Sequence, residues 1–351
     1  MVCYHEDDSK NFGVRYVLSG NVEEVNELFG RSYEISPEDF NTAESENGSR
    51  LIDFPGNFER ANAIEQTMQR VWQENVQTAL GRAILTAERD VAPFELDGGV
   101  CWAKIHTFNV GQGDTIVVEF PGNVVWLVDA RLRGDVRVFF ENWMNENFGD
   151  DVVVDKLIVS HMHYDHIMSV PYVVKRFNVS EVLVPNSLHH KTASACRVLS
   201  TAGEKLRVVE DVVLCRFGEV EALIIPTISV RCVADAIRGS RDPNDHALVL
   251  VVRSSGAVAF LAGDVRGDYC FDILRNNSIG RLIDFYKVSH HGSSTGYDNG
   301  LYTNYSFGFS MISCGRTNRY GHPHRLILNS LPSNHQVTYN MPREYDTFNF
   351  I

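Results

Sequence analysis

Residues 154–166 read VDKLIVSHMHYDH, an apolar run that ends in four side chains able to bind a metal ion. The β-branched composition of the run predicts a buried strand. In an extended chain, residues two positions apart point the same way, so His161, His163 and Asp165 can converge. His166 begins the following helix and turns toward a neighbouring point. The spacing therefore predicts two adjacent metal positions at the end of this strand.

Two later segments repeat the arrangement. Residues 260–264 read FLAGD, an apolar strand whose Gly-Asp end presents the carboxylate of Asp264, which can bridge two metals. Residues 286–294 read YKVSHHGSS, a strand that delivers two histidines to a glycine turn. Three such strand ends indicate a metal site and not a histidine-rich surface loop. Imidazole and carboxylate ligands suit two divalent ions, with zinc our first expectation and manganese or iron as alternatives.

The order of these motifs resembles the metallo-β-lactamase superfamily, which implies a four-layer αβ/βα sandwich with a dinuclear site at one edge. Further segments resemble, more narrowly, the hydrolase domain of the ComEC family of DNA-uptake channel proteins. These segments are FNVGQGD at 108–114, LVDA at 127–130, the run 287–294 and CGRTNRYGHP at 314–323. The resemblance covers about residues 101–329. Neither Ile167-Met168 nor Ala130 fits the usual pattern, which loosens the narrower resemblance.

The resemblance implies a metal-binding role for each matching position. His161 and His163 are expected to hold the first metal. Asp165 and His166 are expected to hold the second, with Asp264 bridging the two.

Two further histidine positions leave alternatives open. His291, directly before Gly292, matches the last metal-binding histidine of the superfamily, which leaves His290 as a neighbour of the ligands or the substrate; the reverse assignment stays open. Many members carry another first-metal histidine nearly twenty residues before the Gly-Asp carboxylate. His246 stands 18 residues before Asp264 and is a candidate for this ligand. The ComEC-like pattern does not require a histidine there, so a hydrogen-bonding role at a strand start stays open.

Other residues are expected around the ligands. By resemblance, Asp114 and Asp129 orient a ligand or the metal-bound water, since a ligating imidazole needs a partner on its other nitrogen. Turn formation is their alternative. Asn318, Tyr320 and His322 are expected on the substrate side, where His322 can donate a proton to a leaving oxygen; a loop packed around a proline is the alternative. Expected phosphate contacts are Ser293, Ser294 and Arg316.

The expected reaction is hydrolysis, in which a metal-bridging hydroxide attacks a phosphorus or carbonyl centre and Asp165 orients it or accepts its proton. The ComEC-like segments favour a phosphodiesterase or nuclease that acts on a short or single-stranded phosphodiester or nucleotide-type substrate. The first alternative is a metal-dependent hydrolase of carboxylic esters, lactones, thioesters or amides. The second is a non-catalytic metal-binding interaction protein.

Composition narrows the setting. The formal charge of −13 argues against a broad basic surface for long duplex DNA, whereas bound metals would supply local positive charge for a small phosphodiester. The 7 cysteines are widely spaced and include no C-x-x-C pair, which favours a reduced, cytoplasmic protein. With no signal-like start and no run of about 18 apolar residues, neither secretion nor membrane insertion is expected.

The texture of the chain changes near residue 100. Residues 1–99 are expected to form a mostly helical extension, in which the strongest predicted helix covers 58–88. The apolar stripe of that helix is expected to pack on the next domain; the alternatives are that it covers the site or forms a homodimer or protein contact. Residues 100–351 are expected to form the hydrolase domain, an α/β layered structure. Its predicted strands are 115–120, 124–128, 156–160, 181–184, 206–209, 222–225, 247–252, 258–262 and 286–289, and its predicted helices are 136–147, 167–177 and 194–203.

Overall fold

The computed structural model describes residues 103–187, 192–254, 256–341 and 343–349, together with the backbone of four short strands nearer the start. These four form an antiparallel sheet in the order β1-β2-β4-β3. They are β1 (Val2–Cys3), β2 (Tyr16–Leu18), β3 (Asn41–Glu44) and β4 (Arg50–Asp53). The helix predicted over 58–88 and the boundary predicted at residue 100 lie outside the described residues and stay predictions.

Contacts divide the chain into two compact units, one of Met1–Ala79 with Lys191–Ser200 and one of Leu80–His190 with Thr201–Ile351. The second unit contains two seven-stranded sheets. The first sheet has the order β10-β9-β8-β7-β6-β5-β18, in which β7 to β10 are parallel. Its strands are β5 (Lys104–Phe108), β6 (Ile116–Phe120), β7 (Val124–Val128), β8 (Val153–Ile158), β9 (Asn178–Pro185), β10 (Leu206–Val209) and β18 (Tyr345–Asn349).

The second sheet has the order β11-β12-β13-β14-β15-β16-β17. Neighbours are antiparallel from β11 to β14 and parallel from β14 to β17. Its strands are β11 (Val213–Phe217), β12 (Val220–Pro226), β13 (Leu248–Arg253), β14 (Val258–Leu261), β15 (Leu282–Lys287), β16 (Ser306–Ile312) and β17 (His335–Val337).

Helices fill the connections between strands, and none among the described residues is long and apolar enough to cross a bilayer. The described helices are α1 (Asp135–Phe148), α2 (Tyr164–Ile167), α3 (Val170–Arg176), α4 (Ala193–Ala202), α5 (Arg231–Ala236), α6 (Gly267–Asn276), α7 (Asn299–Asn304) and α8 (Arg325–Ser330). Short 3₁₀ turns lie at Gly203–Lys205, Thr227–Ser229, Ser289–Gly292, Ser294–Gly296 and Thr338–Asn340.

The two large sheets pack face to face, because their central strands are apolar on both sides. Trp126 and Phe120 of the first sheet contact Phe217 of the second, with ring centroids 5.6 Å and 4.3 Å away. On the outer face of the second sheet, Phe260 belongs to a separate core that includes residues of α5 to α8. On the outer face of the first sheet, Phe108 packs on Phe140 of α1 at 5.0 Å. The predicted four-layer αβ/βα sandwich is confirmed.

The parallel strands determine where functional residues collect. In a parallel arrangement the carboxyl ends of neighbouring strands share one edge of the sheet. Strands β7 and β8 end at such an edge in the first sheet, and β14, β15 and β16 end at one in the second. The sequence motifs lie at the ends of these strands, except for residues 108–114, which follow β5.

Candidate metal centre

The chain beyond β8 delivers the first four candidate ligands. His163 is still extended, with φ −72° and ψ 147°, and α2 begins at the next residue. His161 and His163 therefore point to the same side, and the Nε2 of His161 lies 3.0 Å from the Nδ1 of His163. Asp165 and His166 follow on the first turn of α2. These positions agree with the alternation of side chains along an extended chain.

A second group of atoms meets the first from the other sheet. The Nε2 of His291 lies 3.2 Å from the Nε2 of His166 and 3.4 Å from Oδ2 of Asp165. Asp264 lies between both groups: its Oδ2 is 3.2 Å from His291 Nε2 and 3.8 Å from His161 Nε2. The structure thus brings together all five positions expected from the sequence, and His291 joins them.

His290 takes a different position from its neighbour. It is 25% exposed in its side chain, its Nε2 lies 3.8 Å from Asp264 Oδ2, and its Nδ1 lies 2.8 Å from Thr295 Oγ1. His291 is only 1% exposed. Both residues have positive φ, 49° and 55°, and this left-handed turn after β15 aims the two side chains apart. Non-glycine residues rarely adopt this conformation, and it is found most often at functional sites.

Each buried imidazole has a partner on the nitrogen that faces away from the centre. The Nδ1 of His291 donates to the carbonyl oxygen of Ser313 at 2.7 Å, and the Nδ1 of His166 donates to Oδ2 of Asp129 at 2.7 Å. In the neutral imidazoles, both Nε2 atoms then present lone pairs toward each other. Such an arrangement is stable only with positive charge between the two nitrogens.

Asp129 also supports His161 through a serine. Its carboxylate accepts hydrogen bonds from the backbone N–H of Ser160 at 2.7 Å and from the Ser160 hydroxyl at 2.6 Å. The hydroxyl proton is thereby used, so the serine oxygen accepts from Nδ1 of His161 at 3.0 Å. This leaves the His161 Nε2 lone pair facing the centre. Asp129 lies after β7 with φ 57° and is fully buried.

The electrostatics of the site favour cations. Burial alone would raise the pKa of Asp264, yet the charges of His291 and His166 hold it well below the ordinary value. Burial alone would lower the pKa of His291, but Asp264 and Asp165 raise it to about 9. The pKa of His166 is likewise raised, by Asp264 and Asp129 against the effect of burial. The carboxylates therefore stabilise positive charge on whatever lies between them.

A charge count leads to the same conclusion. Asp114, Asp129 and Asp264 are almost completely inaccessible, and Asp165 is partly buried beside them. Lys287 is one cation among them; it is 1% exposed, ion-paired with Asp114 and 3.8 Å from Oδ1 of Asp264. Oδ1 of Asp114 and Oδ1 of Asp264 are buried and have no hydrogen-bond partner among the described residues. Uncompensated buried charge costs several kcal/mol, so the donor set fits divalent ions.

The ligand-type atoms of Asp114, His166, Asp264 and His291 all lie within 4.8 Å of one another. Asp114 was expected to orient a ligand or the metal-bound water, and the structure places it in an ion pair with Lys287. Lys287 itself was not predicted from the sequence, although a lysine at the end of an apolar strand was a visible signal. Burial lowers the pKa of Lys287, but Asp114 and Asp264 outweigh it and raise the pKa above the ordinary value.

The structure places His246 within its own loop. Its Nε2 lies 3.0 Å from the carbonyl oxygen of Ser240. Asn244 instead reaches the cluster, with Oδ1 3.0 Å from Nδ1 of His163. Asn244 was not predicted from the sequence, because an imidazole was expected at this ligand position; its place twenty residues before Asp264 was the available signal.

The segment 314–323 lies beside the cluster through His322. Its ring centroid is 5.8 Å from that of His290 and 6.4 Å from that of His291. Tyr320 is 55% exposed and stacks on His322 at 5.6 Å. Asn318 shapes the loop: its side-chain amide donates to the carbonyl oxygens of Gly315 and His322 and its Oδ1 accepts from two backbone N–H groups. The loop-packing alternative describes Asn318 well.

The three expected phosphate contacts lie in different settings. Ser293 is buried and caps the turn Ser294–Gly296, since its Oγ accepts from Thr295 N at 3.3 Å. Ser294 is exposed. Arg316 donates a hydrogen bond to the backbone carbonyl oxygen of Tyr339 at 3.2 Å, and its guanidinium lies over the aromatic ring of the same tyrosine. These contacts give structural roles to Ser293 and Arg316.

Arg131 is a polar residue near the cluster that sequence analysis missed. Its Nε and Nη1 are buried and have no hydrogen-bond partner among the described residues. Burial lowers its pKa, and the Asp165 carboxylate opposes this effect. A Cβ at Gly113 would lie 2.4 Å from Cδ of Arg131 and 2.2 Å from the carbonyl oxygen of Asp165, so the glycine at φ +126° allows these segments to meet. Its position two residues after Asp129 was the available signal.

Comparison with known proteins agrees with this geometry. Residues 108–298 match the family described as the Metallo-beta-lactamase superfamily. The chain belongs to this superfamily. It therefore has the fold of metal-dependent hydrolases with dinuclear sites, together with a candidate site of aspartate and histidine residues.

Two curated relatives of the superfamily domain are similar in sequence. ComE operon protein 3 of Bacillus subtilis is 24% identical over 277 residues, 70% of this chain and 34% of the relative. Recombination protein 2 of Haemophilus influenzae is 24% identical over 231 residues, 65% of this chain and 26% of the relative. The chain thus spans about a third or less of these relatives. Among solved structures, the metallo-beta-lactamase fold protein YhfI from Bacillus subtilis is 11% identical with a TM-score of 0.44, covering 72% of this chain and 100% of that one.

Proposed function

We propose that this protein is a dinuclear metal-dependent phosphodiesterase that acts on short or single-stranded phosphodiester substrates. In this proposal His161 and His163 would hold the first ion. Asp165, His166 and His291 would hold the second, and Asp264 would lie within reach of both. The observation that carries the proposal is that these six side chains form one contiguous, largely buried and negatively charged cluster, in which each lies close to at least one other. All the distances between them quoted above fall between 3.0 and 3.8 Å.

Bound divalent ions supply a lowered pKa for a coordinated water and positive charge that stabilises the transition state. The residues around them orient the reactants. Burial alone would raise the pKa of Asp165, but the hydrogen bond to His291 and the charge of His166 lower it, so Asp165 is a carboxylate at neutral pH. Its side chain is 29% exposed, which leaves it accessible to accept a proton from the attacking water.

His322 is suited to the leaving group. Burial, followed by the neighbouring His290 and His291, lowers its pKa to about 4, so the imidazole is neutral at pH 7. Gln112 Nε2 lies 3.4 Å from its Nδ1. Because the amide nitrogen can only donate, Nδ1 accepts and the ring proton lies on Nε2. We expect that N–H to donate a hydrogen bond to the leaving oxygen; because the ring is neutral, this role replaces the proton transfer expected from the sequence.

Arg131 supports the choice of a phosphodiester. A guanidinium with buried, unsatisfied N–H groups is costly, and a tetrahedral phosphate offers two anionic oxygens that the planar guanidinium can bind as a bidentate pair. A carboxylic ester carries no anionic charge in its ground state and gains less from this group. The resemblance of the motifs to the hydrolase domain of DNA-uptake channel proteins supports the same choice.

The test compares substrates on the full chain reconstituted with zinc or manganese. We expect hydrolysis of bis(p-nitrophenyl) phosphate and of short single-stranded DNA, with much slower hydrolysis of p-nitrophenyl acetate and of a chromogenic β-lactam. Asp165→Asn should abolish activity, whereas Asp155→Asn, a carboxylate on β8 that accepts from Val125 N, should retain it. Faster cleavage of the ester or the lactam would favour the carboxylic-ester alternative, and unchanged activity in Asp165→Asn would refute the mechanism.

The role of Arg131 has its own matched control. Arg131→Met should raise KM for the phosphodiester by about tenfold, the effect of losing one or two charge-assisted hydrogen bonds. Arg133→Met, which removes an exposed arginine two residues away, should leave KM unchanged. An equal effect of both variants would point to general electrostatic attraction and not to a specific contact.

A further inference from the structure

We infer that Asn244 supplies an amide oxygen to the first metal position, where the sequence predicted the imidazole of His246. Oδ1 of Asn244 lies 3.0 Å from Nδ1 of His163, and the asparagine is only 7% exposed. The inference rests on the metal centre of the proposed function and is independent of the bond that the protein cleaves.

The spacing of the donor atoms fits one ion between them. Nδ1 of His163 also lies 3.0 Å from Nε2 of His161, and Oδ2 of Asp264 lies 3.8 Å from that same Nε2. The ligands of tetrahedral zinc, at bond lengths of about 2.0–2.1 Å, stand about 3.4 Å apart. These separations are close to that value, so an ion bound there would have two imidazoles, one carboxylate and one amide as its nearest side chains.

The loop between β12 and β13 separates the two candidates. The backbone N–H of Asn244 donates to Oδ1 of Asp242 at 3.0 Å, which fixes the turn that carries the asparagine. Two residues later, Nε2 of His246 lies 3.0 Å from the carbonyl oxygen of Ser240. A carbonyl can only accept, so this nitrogen carries a proton. A protonated nitrogen has no lone pair for a metal, which removes Nε2 of His246 as a ligand atom.

An amide ligand gives the two positions different properties. The second position has the carboxylate of Asp165 and the imidazoles of His166 and His291 in addition to the shared Asp264. The first position has a neutral amide oxygen where the second has a full negative charge. Amide oxygen is also a harder ligand than imidazole nitrogen, which favours manganese relative to zinc. We therefore expect the second position to fill first and the first to bind zinc more weakly.

The experiment measures metal binding on the full chain. Metal-free protein is titrated with zinc and with manganese against a chelating dye, and the bound metal is counted by mass spectrometry after dialysis. The variants are Asn244→Ala, Asn244→Asp and Asn244→His, with His246→Gln as the matched control in the same loop. Circular dichroism of each variant confirms folding.

The unmodified protein should bind two equivalents with unequal affinities. Asn244→Ala should weaken only the weaker one, by about tenfold or more, while Asn244→Asp and the His246→Gln control keep both. Asn244→His should raise the zinc-to-manganese affinity ratio at that position by about tenfold. Unaltered metal affinities in Asn244→Ala would show that the asparagine only hydrogen-bonds His163. Loss of one metal equivalent in His246→Gln would show that the histidine is the ligand. Either result overturns the inference.

Should Asn244→Ala fail to fold, the aspartate and histidine variants carry the test. Both must bind two equivalents, and an unaltered zinc-to-manganese ratio in Asn244→His would refute the assignment. The proposed function fails separately: metal results as expected, together with no hydrolysis of phosphodiesters by the unmodified protein, would refute the activity and leave the ligand assignment in place.

Discussion

Replacement of Asp129 by asparagine tests how the centre is held together. Asp129 accepts three hydrogen bonds: two from Ser160, at 2.7 and 2.6 Å, and one from Nδ1 of His166 at 2.7 Å. Asparagine has nearly the same shape but only one acceptor oxygen. Whichever way its amide is turned, the NH₂ group faces a donor, so at least one of the three bonds is lost.

The magnitude follows from the bonds that change. A hydrogen bond to a charged group contributes about 1.5–3 kcal/mol. Loss of the partner behind a metal-binding imidazole typically weakens metal binding by about 10–100-fold, or about 1.4–2.7 kcal/mol. The two estimates agree, because in either orientation a neutral amide replaces the carboxylate behind His166, so the His166 bond is weakened or lost and the imidazole becomes a poorer ligand. Since Ser160 transmits the effect to His161, we expect both metal positions to weaken.

The assay is a zinc competition titration of Asp129→Asn at pH 7, with Asp284→Asn as control. Asp284 also joins neighbouring strands, since its Oδ2 accepts a hydrogen bond from Val258 N at 2.8 Å. It lies in the first half of β15, whereas the candidate ligands follow the end of that strand. The control should lose about 1 kcal/mol of folding stability and no metal affinity. Zinc affinities equal to those of the unmodified protein in Asp129→Asn, or an equal loss in the control, would refute the reasoning.

Three further predictions concern folding. Lys287→Met leaves the Asp114 charge unpaired, so the free energy of unfolding in urea should fall by about 3–5 kcal/mol. It should recover in a Lys287→Met/Asp114→Leu double variant. A fall of under about 1 kcal/mol in the single variant would contradict a buried ion pair. Gly113→Ala should disrupt the centre, because its Cβ would lie 2.2 Å from the carbonyl oxygen of Asp165. In the control Gly111→Ala the new Cβ meets nothing within 4 Å, so this variant should lose only about 1 kcal/mol of stability through backbone strain. Thermal unfolding and zinc content are measured for both variants, and equal losses would refute the close approach at Gly113. Removal of metal with a chelator should lower the melting temperature, since zinc at a thousand times its Kd stabilises by about 4 kcal/mol, and an unchanged melting temperature would argue against metal binding in the folded state.

Local patterns carried much of the fold. The strands predicted at 124–128 and 206–209 match β7 and β10, and the helix predicted over 136–147 matches α1 within one residue at each end. In these segments the apolar residues recur at the spacing of a strand or a helix, and burial of the resulting apolar face against a neighbouring layer stabilises the element. Strands such as β5, β17 and β18 were not predicted. The edge strand β18 pairs with β5, which lies at the other end of the domain's sequence, and no periodicity of apolar residues within either segment reveals this pairing.

The sequence by itself determined the cluster from His161 to His166, because its four side chains belong to one strand end and one helix start whose directions follow from backbone geometry. Only the tertiary structure decided which distant residues complete it. His291 was preferred to His290, and the left-handed turn after β15 now places His291 in the cluster, while a loop between two strands presents Asn244 in place of His246. These choices depend on how two sheets meet at their edges, and that approach is set by packing over many residues rather than by spacing along the chain.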